Sequence, residues 1–363
     1  QGDVTWQHGS PHMPFRMADT ISGLADEPGN PNALIQSNGY NNKEVSLLKA
    51  GDKDSEGNAI MHSFWAPEIH EIDGRLTILF MAGYGNTWSN GKSVYMQLKQ
   101  DVDGHDLDPT DPDNWTVPTP IYRNDASLLN GNKQLAATAS GGVGMSLDMT
   151  YFQDADGRSY YAWQQLGATY IAKMDPKDPA HVTSSPVRIV TPEYAWNAAI
   201  AEGPNVTLRD GKLYLMFSGS GVGKTYTTGL AVADAAGSDL TDPASWTALN
   251  YPIQKSGPFN GEMQLGTGHG MWSEDEDGNQ IYVFHAYATK NLGSVNATGR
   301  DMFVRRVHWA ADGMPVFDMS SSEELANKTV SVTVHVADDT VTVDKSALSK
   351  ALASAKQLHE SDY

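Results

Sequence analysis

The sequence predicts an all-β protein arranged as a β-propeller. Three observations predict it. One unit recurs four times: a short strand led by small or polar residues, an Asp-Gly turn, and a second strand rich in Tyr, Phe, Leu and Val. Strand-like segments and Pro/Asp/Trp turns separate the copies. Helical apolar spacing shows only near the end, in Ser346–His359 (Leu348, Leu352, Ala355, Leu358). Asp-Gly between two apolar runs signals a hairpin, because that turn needs positive φ, which these residues tolerate.

The first unit is Phe64–Phe80 around Asp73-Gly74, and the second is Ser146–Trp163 around Asp156-Gly157. The third is Ala201–Phe217 around Asp210-Gly211, and the fourth is His269–Phe284 around Asp277-Gly278. Lys92–Lys99 and Thr228–Asp234 read as outer strands, followed by turns at Asp111–Trp115 and Asp242–Trp246. Residues 1–60 hold no such unit. Met13–Leu24 reads as an outer strand and the turn after it, so the chain is expected to begin inside a blade whose inner strands lie upstream. Arg300–Trp309 with Ala310–Phe317 closes the last blade. The expected division is a propeller over 1–325, its first blade incomplete at the N-terminus, and a tail over 326–363. In that tail the Thr/Val alternation of Lys328–Val343 reads as an exposed strand or linker.

In a propeller the first strand of each blade lines the axis, so residues at equivalent strand starts converge on one pocket. Counted at Glu68, Asp148, Glu202 and His269, the repeats are uneven but blade-sized.

Composition limits the partners. A chain of 363 residues, 40% hydrophobic, has ample material for a large core. No apolar run is long enough to span a bilayer. A net charge of −19 argues against nucleic acid and anionic membranes but suits a neutral sugar. The absence of cysteine excludes disulfides and thiolate metal sites. No leader is visible in the opening Gln-Gly-Asp-Val-Thr-Trp, which reads as a mature or truncated product.

Inverting glycoside hydrolysis needs an acid for the leaving oxygen and, across the sugar, a base for water. At neutral pH the acid must be kept protonated by burial or by a neighbouring negative charge. Glu202, placed by Ala-Glu-Gly-Pro at the head of a strand, is the candidate acid, and Asp148 the neighbour that orients it and raises its pKa. The plainer readings weigh equally for Glu202, as a rim residue capping a strand end, and more heavily for Asp148, as an aspartate bonding local backbone. His269, between two glycines, reads as a metal or water ligand on the axis, or as a histidine bonded to a neighbour. Trp65 reads as a platform for a sugar ring or as packing beside Phe64. Arg300 reads as a contact to sugar hydroxyls or to the carboxylates, or as a solvated strand-end charge. Gly219–Thr225 fails the spacing of a phosphate loop. Asp154-Ala-Asp156-Gly157 and Asp275-Glu276-Asp277-Gly278 lack the glutamate of a calcium loop and fit hairpin turns better.

In order and content together, these segments resemble glycoside hydrolase family 43. The resemblance rests on Trp65-Ala-Pro-Glu68-Ile, Ser146-Leu-Asp148, Glu202-Gly-Pro, Gly268-His269-Gly, Gly299-Arg300-Asp-Met, Trp309 and Asp312-Gly-Met-Pro315. It covers about residues 13–318. It implies a five-bladed propeller and an inverting mechanism. It implies Glu202 as general acid, Asp148 as the orienting and pKa-tuning carboxylate, and His269 as the central histidine that often faces Ca2+ or water. It further implies Arg300 at the −1 sugar and Trp65 near the pocket. The family's base, an Asp in an Asp-Pro context well before the Trp-Ala-Pro unit, has no counterpart here: neither Asp3 nor Asp19 has the right surroundings. The base is therefore unassigned, and three explanations stand: loss with upstream sequence, an upstream polypeptide that completes the first blade, or a departure in mechanism. A chain lacking that blade should be nearly inactive alone.

Ala18–Leu24 and the approach to Trp65 look most like arabinofuranosidase members. The expected substrate is an arabinose-containing polysaccharide or oligosaccharide. A β-xylosidase, a galactan-active enzyme, or a catalytically silent carbohydrate-binding propeller are the alternatives. Ala351–Tyr363 is similar to the start of helical modules in bacterial cell-surface proteins, which implies secretion or attachment to the cell surface.

Overall fold

The computed structural model describes residues 12–17, 43–85, 91–129, 145–275, 277–288 and 300–327, with 346, 349, 350 and 353. A two-stranded ribbon comes first, β1 (His12–Met17) against β2 (Lys43–Lys49). The first full blade is β3 (Ile60–Ile72), β4 (Arg75–Tyr84), β5 (Lys92–Gln97) and β6 (Thr119–Pro120), paired in that order. The second blade collects β7 (Tyr122–Arg123), β8 (Leu147–Gln153), β9 (Ser159–Gln165), β10 (Ala168–Asp175), β11 (Asp178–Val182) and β12 (Val187–Val190). Its inner hairpin is β8–β9. The third is β13 (Ala201–Arg209), β14 (Lys212–Gly219), β15 (Thr227–Asp234) and β16 (Thr247–Ala248). The fourth is β17 (Gly257–Phe259), β18 (Glu262–Glu274), β19 (Gln280–Tyr287) and β20 (Asp301–Arg306). A short hairpin, β21 (His308–Trp309) and β22 (Pro315–Val316), and a helix, α1 (Ser321–Asn327), follow.

The chain is therefore all-β with a propeller arrangement. Among the described residues four blades stand rather than the five expected. The β1–β2 ribbon packs on the first of them through Met13, Leu47 and Leu48 against Phe64, Phe80 and Trp115. Residues 1–11 and 18–42 lie outside the described residues, and with them Asp3, Asp19 and the turn expected up to Leu24. The expected tail lies outside them too, apart from the end of α1 and four helical positions, 346, 349, 350 and 353.

The four predicted hairpins form, two of them for the predicted reason. Asp73-Gly74 and Asp210-Gly211 have positive φ at both residues (52° and 68°, 47° and 76°). The other two turns are longer and are tied internally. Asp154 Oδ1 accepts the N–H groups of Asp156 and Arg158, and Asp275 Oδ1 those of Asp277 and Asn279. The Pro/Asp/Trp turns share a device as well. Asp111 and Asp242 cap short 3-10 turns, and the indole N–H of Trp115 and of Trp246 bonds a carbonyl six residues back.

Apolar faces of neighbouring blades meet in layers. Ile72, Leu79, Met149, Tyr161 and Trp163 join the first to the second. Phe152, Tyr160, Leu213, Leu215 and Phe217 join the second to the third. Met216, Tyr282, Phe284 and Phe317 lie between the third and the fourth.

One feature of the inner strands was not foreseen. Each carries a bulge at the same depth, three residues advancing against two on the partner. Trp65–Glu68 faces Met81–Leu79, Leu147–Thr150 faces Gln164–Ala162, Glu202–Asn205 faces Ser218–Met216, and Gly268–Met271 faces His285–Val283. The second residue of every bulge is left-handed: Ala66 (φ 47°), Asp148 (57°), Gly203 (59°) and His269 (49°). The bulge adds one residue and re-aims its neighbours. It also corrects the expected equivalence. Asp148 and His269 share the bulge position, Glu202 stands one residue before it, and Glu68 stands two residues beyond it.

Candidate active site

The bulges bring the leading side chains of separate blades together. Asp148 is 1% exposed and its Oδ2 accepts the backbone N–H of Gly203 at 2.9 Å. That bond joins the second blade to the residue after Glu202. Glu202 is 8% exposed, and its Oε1 accepts the hydroxyl of Tyr226 at 2.7 Å. Tyr226 stacks on His285, ring centroids 5.6 Å apart and 7° from parallel. Arg300 Nη1 lies 3.0 Å from His285 Nε2. A guanidinium only donates, so His285 accepts there and carries its own proton on Nδ1.

His269 completes the cluster. Its backbone N–H donates to Ser218 Oγ at 2.6 Å, and its ring lies 6.3 Å from that of His285. Local backbone dictates the glycines around it. A Cβ at Gly203 would stand 3.1 Å from His269 Nδ1, and one at Gly268 only 2.3 Å from the ring of Tyr226. A second network lies deeper. Glu68 Oε2 accepts from Asn205 Nδ2 at 3.1 Å and stands 2.8 Å from His70 Nε2. Asn205 Oδ1 in turn accepts the N–H of Trp272. Three blades are thereby linked across the axis.

Burial governs the protonation of this cluster. It pushes Glu202 up to about 7, against the opposing pull of the Tyr226 hydrogen bond and the Arg300 charge. Asp148 is raised well above the usual carboxylate range, first by burial and then by the charge of Glu202, with the Gly203 N–H opposing. The repulsion between the two carboxyls is mutual, and burial is the first cause of both shifts. His269 is pushed down to about 3 by burial and by Arg300. It is neutral at pH 7, so its 4.0 Å approach to Asp148 is not an ion pair. Two buried carboxyls beside a reachable edge can hold and deliver a proton.

Residues 38–315 match glycosyl hydrolases family 43. The chain belongs to that family. The extracellular exo-α-(1→5)-L-arabinofuranosidase of Streptomyces avermitilis is 29% identical over 316 residues, 84% of this chain and 56% of that protein. The α-L-arabinofuranosidase 43 of Humicola insolens is 29% identical over 267 residues, 70% of this chain and 49% of that protein. The chain thus spans about half the length of these two relatives. The crystal structure of an α-L-arabinofuranosidase from Lactobacillus brevis superposes with a TM-score of 0.65 at 25% identity, covering 85% of this chain and 86% of that one.

Within this family-43 chain the site residues expected from sequence fall as follows. Asp148, Glu202, His269 and Arg300 come together. Arg300 is 1% exposed, so it is no solvated strand-end charge. Trp65 does not pack beside Phe64: it lies in a separate small cluster with Met81, Met145 and Leu147, 9% exposed, which leaves little indole for a sugar to stack on. Calcium fits His269 poorly. It prefers six to eight oxygens, and among the described residues the ligand-type side chains that cluster in threes are Asp101, Asp103 and His105, an exposed group elsewhere.

Sequence reasoning missed Tyr226, His285 and Asn205, and gave Glu68 no role. Glu68 had a signal, a carboxylate inside an apolar strand. Asn205 had one too, an amide directly after Glu-Gly-Pro. Tyr226 and His285 had none, because each reaches the site from the second strand or the loop of a blade.

Proposed function

We propose that this family-43 chain is an inverting, exo-acting α-L-arabinofuranosidase that removes arabinofuranosyl groups from polysaccharide or oligosaccharide side chains. The observation that carries the reading is the buried Asp148–Glu202 pair, in which only Glu202 keeps a reachable edge. Glu202, protonated up to about pH 7, donates its proton to the glycosidic oxygen as the bond from C1 to that oxygen breaks. Water adds to C1 from the opposite face and gives its proton to a base that is left unassigned. The products are free arabinose and an aglycone bearing a hydroxyl. Asp148 positions Glu202 through the Gly203 N–H. Arg300, braced by His285, faces Glu202 and the sugar. Neutral His269 lies beside them, its Nε2 4.0 Å from Asp148 Oδ1.

The relatives' names support the sugar, and the Streptomyces avermitilis relative is named extracellular. Among the described residues no helix is long and apolar enough to cross a membrane. Secretion or cell-surface attachment, and a fifth blade completed around the β1–β2 ribbon, belong to the same proposal. The test is release of arabinose from an aryl α-L-arabinofuranoside, run beside the matching aryl β-D-xyloside. The reading requires turnover of the first, and loss in Glu202→Gln of arabinose release from an arabino-oligosaccharide, whose leaving oxygen needs the proton. Oligosaccharide turnover that survives in Glu202→Gln, or a preference for the xyloside, overturns it.

A further inference from the structure

A second aromatic site stands beside the one described. The segment from Tyr194 to Ile200 leads directly into Ala201 and Glu202. Trp196 within it is anchored on three sides. Its indole N–H donates to Asn250 O at 3.0 Å, and its ring lies 6.0 Å from that of Phe217. Its far edge occupies the space that side chains at Gly219 and Gly229 would need, with ring atoms 2.9 and 2.7 Å from an added Cβ. Tyr194 lies parallel to it, 5° between planes and 6.4 Å between centroids, and is 42% exposed. Its backbone is pinned as well: the N–H of Tyr194 donates to Asn197 Oδ1 at 2.8 Å. Leu166 and Tyr251, 61% and 53% exposed, adjoin Gly167 and Asn250 in sequence. The Leu166 turn touches it through Gly167, whose carbonyl accepts the N–H of Ala201.

Two aligned rings held this firmly, with the outer one open, are unusual for a loop that only connects strands. Position supplies the reason. Gly219 pairs with Ala201, one residue before Glu202, and Gly229 lies one strand further out. Strands are about 4.8 Å apart, so the Trp196 ring stands within about 10 Å of the inner strand, with Tyr194 6.4 Å from Trp196. An aromatic face binds the C–H face of a sugar. A net charge of −19 and exposed Glu193 beside the pair disfavour an acidic polymer.

We propose that Tyr194, backed by Trp196, is a platform for the uncharged glycan main chain that carries the arabinosyl group cleaved at Glu202. This deepens the arabinofuranosidase reading and rests on it. In the full chain, Tyr194→Ala lowers kcat/KM on arabinoxylan or linear arabinan about tenfold, through KM. It leaves turnover of 4-nitrophenyl arabinofuranoside unchanged, and Tyr194→Phe restores the polymer rate. An unchanged polymer rate, or an equal fall on both substrates, overturns the platform. If no arabinofuranoside is cleaved, the enzymatic reading fails separately. Affinity electrophoresis in the same polymers then decides the platform: retardation lost in Tyr194→Ala supports it, while no retardation, or equal retardation in polygalacturonate, overturns it.

Discussion

At the scale of the residue, the account turns on where one proton sits. Asp148 is sealed from solvent and already accepts a backbone N–H, whereas Glu202 has an accessible edge. Burial raises both. Asp148 is raised well above its usual range by burial and by the charge of Glu202, and Glu202 titrates near 7. The rate should therefore fall as pH rises through about 7, where the acid ionises. Asp148→Asn removes the ionisable neighbour of Glu202, so it should lower kcat and displace that limb toward lower pH. A limb left in place would show that burial alone holds the proton on Glu202. Stability follows the same sign. A folded pKa raised above the unfolded value gives stability that is full below about 4.5 and is lost through about 7. Glu202→Gln, which cannot ionise, should therefore melt above wild type at pH 8, and the gap should close by pH 5. Thermal melts across that range check it.

The same scale explains what the sequence hid. Glu202 and Asp148 were legible because a carboxylate heading an apolar strand has few structural uses. Tyr226 and His285 were not. A tyrosine in the loop before β15 and a histidine inside β19 look like ordinary packing until tertiary contacts aim them at Glu202 and Arg300.

At the scale of the element, the four bulges set the site. Each forces its second residue into left-handed backbone, which costs a non-glycine about 1–3 kcal/mol. Only Gly203 escapes that cost. Asp148 and His269 bear it where their side chains face each other, so the strain has a use. Ala66 bears it without such a role. Ala66→Gly should therefore raise unfolding free energy by about 1 kcal/mol in urea with little change in activity. A loss of stability would show that the Ala66 methyl packs better than its backbone suggests. The hairpins were legible because Asp-Gly advertises positive φ. The bulges were not, because Ala, Asp and His carry no such signature, and an uncounted extra residue shifted the expected equivalence of Glu68, Asp148, Glu202 and His269.

At the scale of the whole molecule, blades joined through apolar layers need a polar tie across the axis, where apolar packing gives way to the site. The Glu68–Asn205–Trp272 chain is that tie. Asn205→Ala strips the buried Glu68 of a donor and should cost about 2–3 kcal/mol. Asn205→Asp, which sets a second carboxyl against Glu68, should cost more and should cost most at high pH. Equal stability of the two variants would show that the tie is incidental. The propeller itself was legible from repetition alone. The blade count was not, because uneven spacing leaves the number of sheets open.

The central claim is that Glu202 protonates the departing oxygen, and leaving-group dependence tests it most directly. A dinitrophenolate departs with little help, whereas a sugar alkoxide needs the proton. Glu202→Gln should lose about 10²- to 10⁴-fold on an arabino-oligosaccharide and far less on 2,4-dinitrophenyl arabinofuranoside. Equal losses on both substrates would contradict the account.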